Sequence, residues 1–348
     1  MYGKTDSLKN RIIQFDIFRG IILIYMAFVN AYHGLASVQK PWFAHNQEIM
    51  YPGDLIVVFF FFMVGFNLGL VQKFKKLSRI QLFLYGLKRG IIVSALGLVL
   101  ITYSIVFYHN EISVVFQSFL VVLGIAIALM SGIICIIHNS GGVMFAAAAI
   151  FSLLLACLNW NPAGNYAHLS PMFLLTAVWG YLLSNWYLES KKKFITMSVV
   201  FGFVFLFSAA LHIQIFGNYP TRQSVNAPYV FISWSFFLLS FAALFRYYRP
   251  PVSGKSKLSW VALSGAHPLS FWILHGIVIG LFLLVATLNK YIDEGMLSYF
   301  WTMPIMPRII ESQFTAIFMS VGAAFVSFFV HLLFIQIYRT RKLKNKQV

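Results

Sequence analysis

The chain has 348 residues, of which 60% are hydrophobic, 10% are charged and 37 are phenylalanine. A soluble domain carries about 25% Asp, Glu, Lys and Arg to cover its surface, so this composition excludes a soluble globular protein. Lys and Arg outnumber Asp and Glu by 26 to 9, giving a formal net charge of +17.

Apolar runs recur along the whole chain, and each is near the length at which a helix crosses about 30 Å of hydrocarbon. Backbone polar groups in lipid must bond within the protein, so these runs are predicted to be helices rather than open strands. We predict an all-α polytopic transmembrane bundle of about ten helices, forming one integral membrane domain over residues 1–348. The predicted spans are 18–37, 53–72, 90–108, 112–137, 142–160, 169–188, 194–213, 229–246, 260–288 and 312–337.

The distribution of basic residues orients the predicted bundle. With the amino terminus inside, every Lys and Arg falls on the cytoplasmic side except Lys40, Arg222, Lys290 and Arg308. This asymmetry is what the positive-inside rule describes. We therefore predict a multi-pass protein of the plasma (inner) membrane, with a cytoplasmic amino terminus over 1–15 and a basic cytoplasmic tail over 339–348. The charge is scattered over loops, which indicates contact with anionic membrane lipids and not with nucleic acid.

Polar residues form a stripe on the first predicted span. At 100° per residue, Asp16, Arg19 and Asn30 lie within about 60° of one another on one helix face. Asp16 and Arg19 can pair across one turn, and Asn30 lies roughly 16 Å further along the axis. Ionisable and amide groups are expensive inside a membrane and indicate function by default. The alternative is an anchor pair plus an asparagine that only packs helices together.

The outer loop after this span contains a histidine next to carboxylates. His45 can take and return a proton near neutral pH, and Asp54 or Glu48 can fix its tautomer. The alternative is a solvated surface histidine. His33, His45 and Asp54 match no zinc spacing, so no metal is predicted.

A third polar segment runs from Ser264 to His275. Small residues followed by Pro268 can break a helix and direct free backbone N–H groups at a ligand. The alternative is a kinked packing helix with a hydrogen-bonded histidine. His109–Glu111 is interpreted as a solvated turn, and Cys135 and Cys157 as packed small residues.

Together these segments resemble heparan-alpha-glucosaminide N-acetyltransferase and its bacterial relatives. The similar segments are Arg11-Ile-Ile-Gln-Phe-Asp-Ile-Phe-Arg-Gly20, Met26-Ala-Phe-Val-Asn30, the loop His45, Asp54-Leu-Ile56, Phe59-Phe-Phe-Phe-Met-Val-Gly65 and His267-Pro-Leu-Ser-Phe-Trp-Ile-Leu-His275. The similarity is dense over 11–70 and thinner beyond it.

The resemblance implies acyl transfer across a membrane, from cytoplasmic acetyl-CoA to an amine or hydroxyl of an extracytoplasmic saccharide. His45 holds the place of the family's catalytic histidine and Asn30 that of its first-helix asparagine, with Asp54 as the carboxylate partner. CoA is a polyanion, so basic residues at inner helix ends suit its phosphates. The predicted acetyl-CoA-binding residues are Arg19, Lys88, Arg89 and His275.

Two other functions remain open from the sequence. A transporter, or a carrier of a lipid-linked intermediate, would use the same polar stripe to bind rather than transform its substrate. A structural scaffold would leave the Asn30 stripe and the later Pro268–His275 segment without a purpose. The predicted partners are acetyl-CoA, the saccharide acceptor, membrane lipids and, in a homodimer, a second copy of the chain.

Overall fold

The computed structural model describes residues 12–35, 50–108, 119–137, 141–157, 171–220, 225–248, 259–293 and 313–344, and these contain helices but no strands. The helices are α1 (Ile13–Leu35), α2 (Leu55–Phe74), α3 (Arg79–Tyr108), α4 (Phe119–Ile137), α5 (Gly141–Cys157), α6 (Pro171–Glu189), α7 (Lys191–Phe216), α8 (Ala227–Tyr247), α9 (Ser259–Gly265), α10 (Pro268–Asp293) and α11 (Gln313–Lys344). A short 3₁₀ turn, Pro52–Asp54, precedes α2.

Local sequence explains where several helices begin and end. Ser78 and Gln81 form a reciprocal cap at the start of α3: the Ser78 N–H donates to Gln81 Oε1 (3.0 Å), and the Gln81 N–H donates to Ser78 Oγ (3.3 Å). Such a cap satisfies two backbone donors that the first turn leaves unpaired. Ser190 caps α7 by accepting from the Lys193 N–H (3.0 Å), and Gly217 ends α7 with φ of 67°, the left-handed conformation common after helices.

Seven of the described helices are long and apolar enough to cross a membrane. They include the segments Ile13–Tyr32, Pro52–Phe74, Arg79–Val99, Phe119–Ile137, Lys191–Phe216, Ala227–Tyr247 and Gln313–Tyr338. The apolar parts of α5 and α10 are shorter, at Gly142–Leu154 and Pro268–Leu281. The all-helical class is confirmed for the described residues, whereas the count of about ten spans and the orientation of the termini stay predictions.

The predicted span 260–288 differs in detail, because two helices occupy it. The short α9 ends at Gly265 and α10 begins at Pro268, with Ala266 and His267 between them. Proline has no N–H to donate back into α9 and is well suited to the first turn of a new helix. The break therefore lies at the small-residue and proline segment where the sequence allowed one.

The described helices divide into two compact units. Unit 1 contains α1, α9, α10 and α11, and unit 2 contains α2 to α8.

In unit 1, α1 packs against α9, α10 and α11. A Cβ on Gly20 of α1 would overlap the carbonyl oxygen of Val261 in α9, and a Cβ on Gly265 would overlap the carbonyl oxygen of Asp16. The two helices can make this approach because neither position carries a side chain. The glycine after Arg19 is thus a helix-crossing point.

In unit 2, α2 packs on α6, α3 on α4 and α7 on α8. Its interior is rich in aromatic rings. Phe61 stacks on Phe173 with ring centroids 4.4 Å apart, and Trp234 of α8 lies against Trp179 of α6 at a tilted angle, with centroids 6.0 Å apart. The Trp234 indole N–H donates to Thr176 Oγ1 (2.9 Å). Aromatic packing with satisfied polar edges therefore holds this unit together.

Candidate functional site

The clearest polar contact inside unit 1 joins the two segments that the sequence singled out. Nδ2 of Asn30, in α1, lies 3.3 Å from Nε2 of His275, in α10. They are 245 positions apart in the chain. His275 is only 3% exposed, so its ring depends on protein groups for hydrogen bonds. The structure brings together the predicted catalytic asparagine and one of the predicted donor-binding residues.

Both contacts of the His275 ring require the same tautomer. His275 Nδ1 lies 3.3 Å from the Phe271 carbonyl oxygen one turn earlier in α10, and a carbonyl can only accept, so we assign the proton to Nδ1. Nε2 then accepts from the Asn30 amide, whose nitrogen can only donate. The amide has two N–H groups, of which the histidine takes one.

Two aromatic rings of α10 lie against the His275 imidazole. Phe271 stacks on the His275 ring at a centroid distance of 5.9 Å, and Trp272 meets it edge to face at 5.3 Å. Rings of this size exclude water from one side of the imidazole and restrict its rotation. The Asn30–His275 bond is thereby shielded, which strengthens a hydrogen bond relative to water.

Arg19 lies at the other end of the polar stripe on α1. Its Nη1 donates to the carbonyl oxygen of Gly265 (2.9 Å) and is 3.8 Å from Asp16 Oδ1. The predicted pairing of Asp16 with Arg19 is confirmed. The bond to Gly265 satisfies a carbonyl at the end of α9, which has no partner further along that helix. Arg19 thus fixes the α9–α10 break to α1.

A second buried histidine, His331, lies beside the α9–α10 break, and it was not predicted from the sequence. His331 of α11 lies with Nε2 2.8 Å from Ser270 Oγ and Nδ1 3.3 Å from Ser264 Oγ. Ser270 Oγ donates to the His267 carbonyl oxygen (2.9 Å), so it accepts from His331 Nε2–H, and Ser264 donates to Nδ1. His331 therefore bonds to both α9 and α10. An ionisable residue within the last apolar run was the available signal.

The remaining predicted residues lie in unit 2 or outside the described residues. The Asp54 backbone oxygen accepts from the Tyr229 hydroxyl (2.7 Å), and Asp54 is fully buried at the start of α2. Lys88 and Arg89 are exposed on α3, and the Arg89 guanidinium lies 5.4 Å from the centroid of the Tyr85 ring. His45 and Glu48 lie outside the described residues, as does the predicted turn His109–Glu111.

A metal centre is not formed by the part of the chain that the structure describes, where no three His, Cys, Asp or Glu side chains come together. The side chain of His33 and the whole of His45 are outside that part.

The chemistry available in unit 1 is that of an amide, two neutral imidazoles and serine hydroxyls in an apolar setting. An amide N–H held in place can stabilise a developing oxyanion, and an imidazole can orient that amide or move a proton. No protein-family model matches the sequence, and no curated protein matches it either.

Proposed function

We propose that this protein is a membrane acyltransferase that moves the acetyl group of cytoplasmic acetyl-CoA to an amine or hydroxyl of an extracytoplasmic saccharide. The observation that carries the proposal is the Asn30–His275 hydrogen bond at 3.3 Å. It joins two helices through the two polar segments in which the sequence resembles a family of membrane acetyltransferases.

In the proposed reaction, the acceptor nitrogen or oxygen attacks the carbonyl carbon of the thioester. The carbon–sulfur bond breaks, CoA leaves as the thiol, and the proton lost by the acceptor balances the one that sulfur gains. The tetrahedral intermediate carries a negative oxygen, which an amide N–H can stabilise. Asn30 has a second N–H for this purpose, because His275 takes only one.

His275 is assigned a positioning role in this scheme. By accepting from the Asn30 amide it fixes which way the amide faces, and its own tautomer is set by the Phe271 carbonyl oxygen. The proposed general base or acyl carrier is His45 in the outer loop, with Asp54 as its carboxylate partner. These two assignments rest on the sequence resemblance.

Acetyl-CoA would be held by cations near the inner helix ends. Arg19 suits this role only in part, because one guanidinium nitrogen is bonded to the Gly265 carbonyl oxygen and the side chain is 12% exposed. The proposed topology has about ten spans with both termini cytoplasmic. A reporter that works only in the cytoplasm should therefore be active when fused after Val348, and one that works only outside should not.

The proposal is tested with acetyl-CoA labelled in the acetyl group. Envelope material containing the protein should incorporate label, whereas material without it should not. The His45→Ala variant should lose at least about 10²-fold in rate, the lower figure for removal of a general base. Its matched control is His212→Asn, which changes a buried histidine of unit 2. Full transfer by His45→Ala would remove the base from the scheme.

One observation favours a second function, transport of a small polar or lipid-linked substrate. Helices interrupted within a membrane are typical of transporter binding sites, and the α9–α10 break at Ala266–His267 is such an interruption. A transporter would move its substrate into sealed vesicles without transferring any acetyl label, so the same preparation distinguishes the two functions.

A further inference from the structure

The hairpin of α2 and α3 in unit 2 has a strongly basic end. Its exposed cations are Lys73, Lys75, Lys76, Arg79, Lys88 and Arg89. Asp54 is the only acidic residue between positions 50 and 108. It lies at the opposite end of α2, about 28 Å from Lys73 along the helix axis. The positive charge is therefore not neutralised within this hairpin.

One aromatic ring gathers two of these cations. Lys75 Nζ lies 4.8 Å from the centroid of the Tyr85 ring, and the Arg89 guanidinium carbon lies 5.4 Å from the same centroid. Arg89 follows Tyr85 by one helical turn, whereas Lys75 comes from the turn before α3. Two cations at one ring repel each other, and an anion between them would turn that repulsion into attraction.

The neighbouring surface of α3 is apolar and exposed. Ile80, Leu84, Lys88, Ile91 and Val99 share one face, since they follow helical spacing. Ile80 is 68% exposed, Leu84 55% and Ile91 59%. Lys88 thus has exposed apolar side chains on both sides along its own face. Such a surface suits acyl chains, because exposing apolar side chains to water costs free energy and lipid tails can cover them instead.

We propose that Lys75, Tyr85, Lys88 and Arg89 bind the headgroup of an anionic phospholipid, whose acyl chains lie along the exposed apolar face of α3. A phospholipid is the ligand that supplies both halves of this surface, a phosphate for the cations and hydrocarbon for the stripe. The site gives Lys88 and Arg89 a role at the lipid surface in place of a role in binding acetyl-CoA. It does not depend on the proposed acyl transfer.

Native mass spectrometry of the full chain in mild detergent tests this site by counting bound lipids during titration. The probe is phosphatidylglycerol, and phosphatidylcholine with the same acyl chains is the zwitterionic comparison. The test variant is Lys75→Gln/Arg89→Gln. The matched control is Lys191→Gln/Lys192→Gln, which removes the same charge from exposed positions at the start of α7.

The test variant should lose about 25-fold in affinity for phosphatidylglycerol, since one basic residue near an anionic surface contributes about fivefold. The control should keep the wild-type affinity. Tyr85→Leu keeps every cation and should lose about threefold, the loss expected for cation–π contacts at an exposed site. Because it retains both charges, this variant also checks the site should the double variant fail to fold.

Three results would overturn the proposal. If both double variants lost affinity for phosphatidylglycerol equally, a general effect of charge would explain the binding. Equal retention of phosphatidylcholine and phosphatidylglycerol by the wild type would show that the headgroup charge is not recognised. Displacement of bound phosphatidylglycerol by acetyl-CoA would show that these cations hold the acyl donor.

Discussion

The interiors of the two units differ in chemistry although both are built from apolar helices. Unit 2 is filled by rings, such as the Phe61–Phe173 stack and the Trp179–Trp234 contact. Its buried His212 contacts the Phe216 ring of its own helix at a centroid distance of 4.7 Å. In unit 1, two buried histidines form hydrogen bonds to polar side chains of other helices: His275 to Asn30, and His331 to Ser264 and Ser270.

This difference bears on where a functional site would be proposed. Rings provide van der Waals packing, which holds helices together in lipid at little cost. Buried imidazoles and amides are costly there unless every polar atom is bonded. A protein that needed only a packed bundle could use rings throughout, so we propose that the amide and imidazole chemistry of this protein lies in unit 1.

The largest effect is expected from a change in the polar pair. Asn30→Ala should lower the rate of acetyl transfer by about 10²-fold, the loss typical of one oxyanion donor, equivalent to about 2.7 kcal/mol. Trp234→Phe is the control in unit 2: it removes the indole N–H that bonds to Thr176 but keeps a ring. Its rate per folded molecule should equal that of the wild type. Equal loss of rate in both variants would erase the distinction between the units.

A smaller effect, shared by both units, is expected at the helix crossings. Gly20→Ala in unit 1 and Gly65→Ala in unit 2 would each place a methyl group against a backbone carbonyl oxygen, that of Val261 and that of Ala177. Each should lower the free energy of unfolding by about 1–3 kcal/mol, the usual cost of overpacking. Thermal unfolding in detergent measures this.

The control for the crossings is Gly276→Ala in α10, where an added Cβ meets no atom within 4 Å. The thermal unfolding midpoint of this variant should not fall below that of the wild type. If Gly276→Ala unfolded as early as Gly20→Ala, helix flexibility rather than close approach would explain the glycines.

The smallest effect concerns the bonds of His331 to the α9–α10 break. His331→Ala removes two hydrogen bonds between helices, and such bonds in membranes average about 0.6 kcal/mol each. A loss of about 1 kcal/mol in stability is therefore expected. Ser327→Ala on the same helix is the control, because its hydroxyl donates to the Ala323 carbonyl oxygen of α11 itself. A loss of stability in Ser327→Ala as large as in His331→Ala would contradict the role of His331 in joining α11 to α9 and α10.

The sequence predicted much of the fold, because apolar run length alone determines where a chain can be helical in lipid. Each of the ten predicted spans contains helical residues, and the Asp16–Arg19 pair follows from helical periodicity. The interruption at Pro268 was foreseen as a property of that segment. The span 260–288 was nevertheless predicted as continuous, since the length of an apolar run does not reveal a helix break of two residues.

Contacts between helices were harder to predict. Periodicity places Asn30 on a face of α1 and His275 on a face of α10, but it does not say which helices meet. The Asn30–His275 bond therefore emerged only from the structure. His331 was missed for a different reason: it has no polar neighbour in sequence, and its partners Ser264 and Ser270 lie more than 60 positions away.

The central claim is that Asn30 and His275 act together in acetyl transfer. A double-mutant cycle on the transfer rate tests it, using wild type, Asn30→Ala, His275→Ala and the double variant with labelled acetyl-CoA. If His275 acts by positioning the Asn30 amide, the double variant should be no slower than Asn30→Ala alone. Losses that simply multiply, or a wild-type protein that transfers no label, would contradict the claim.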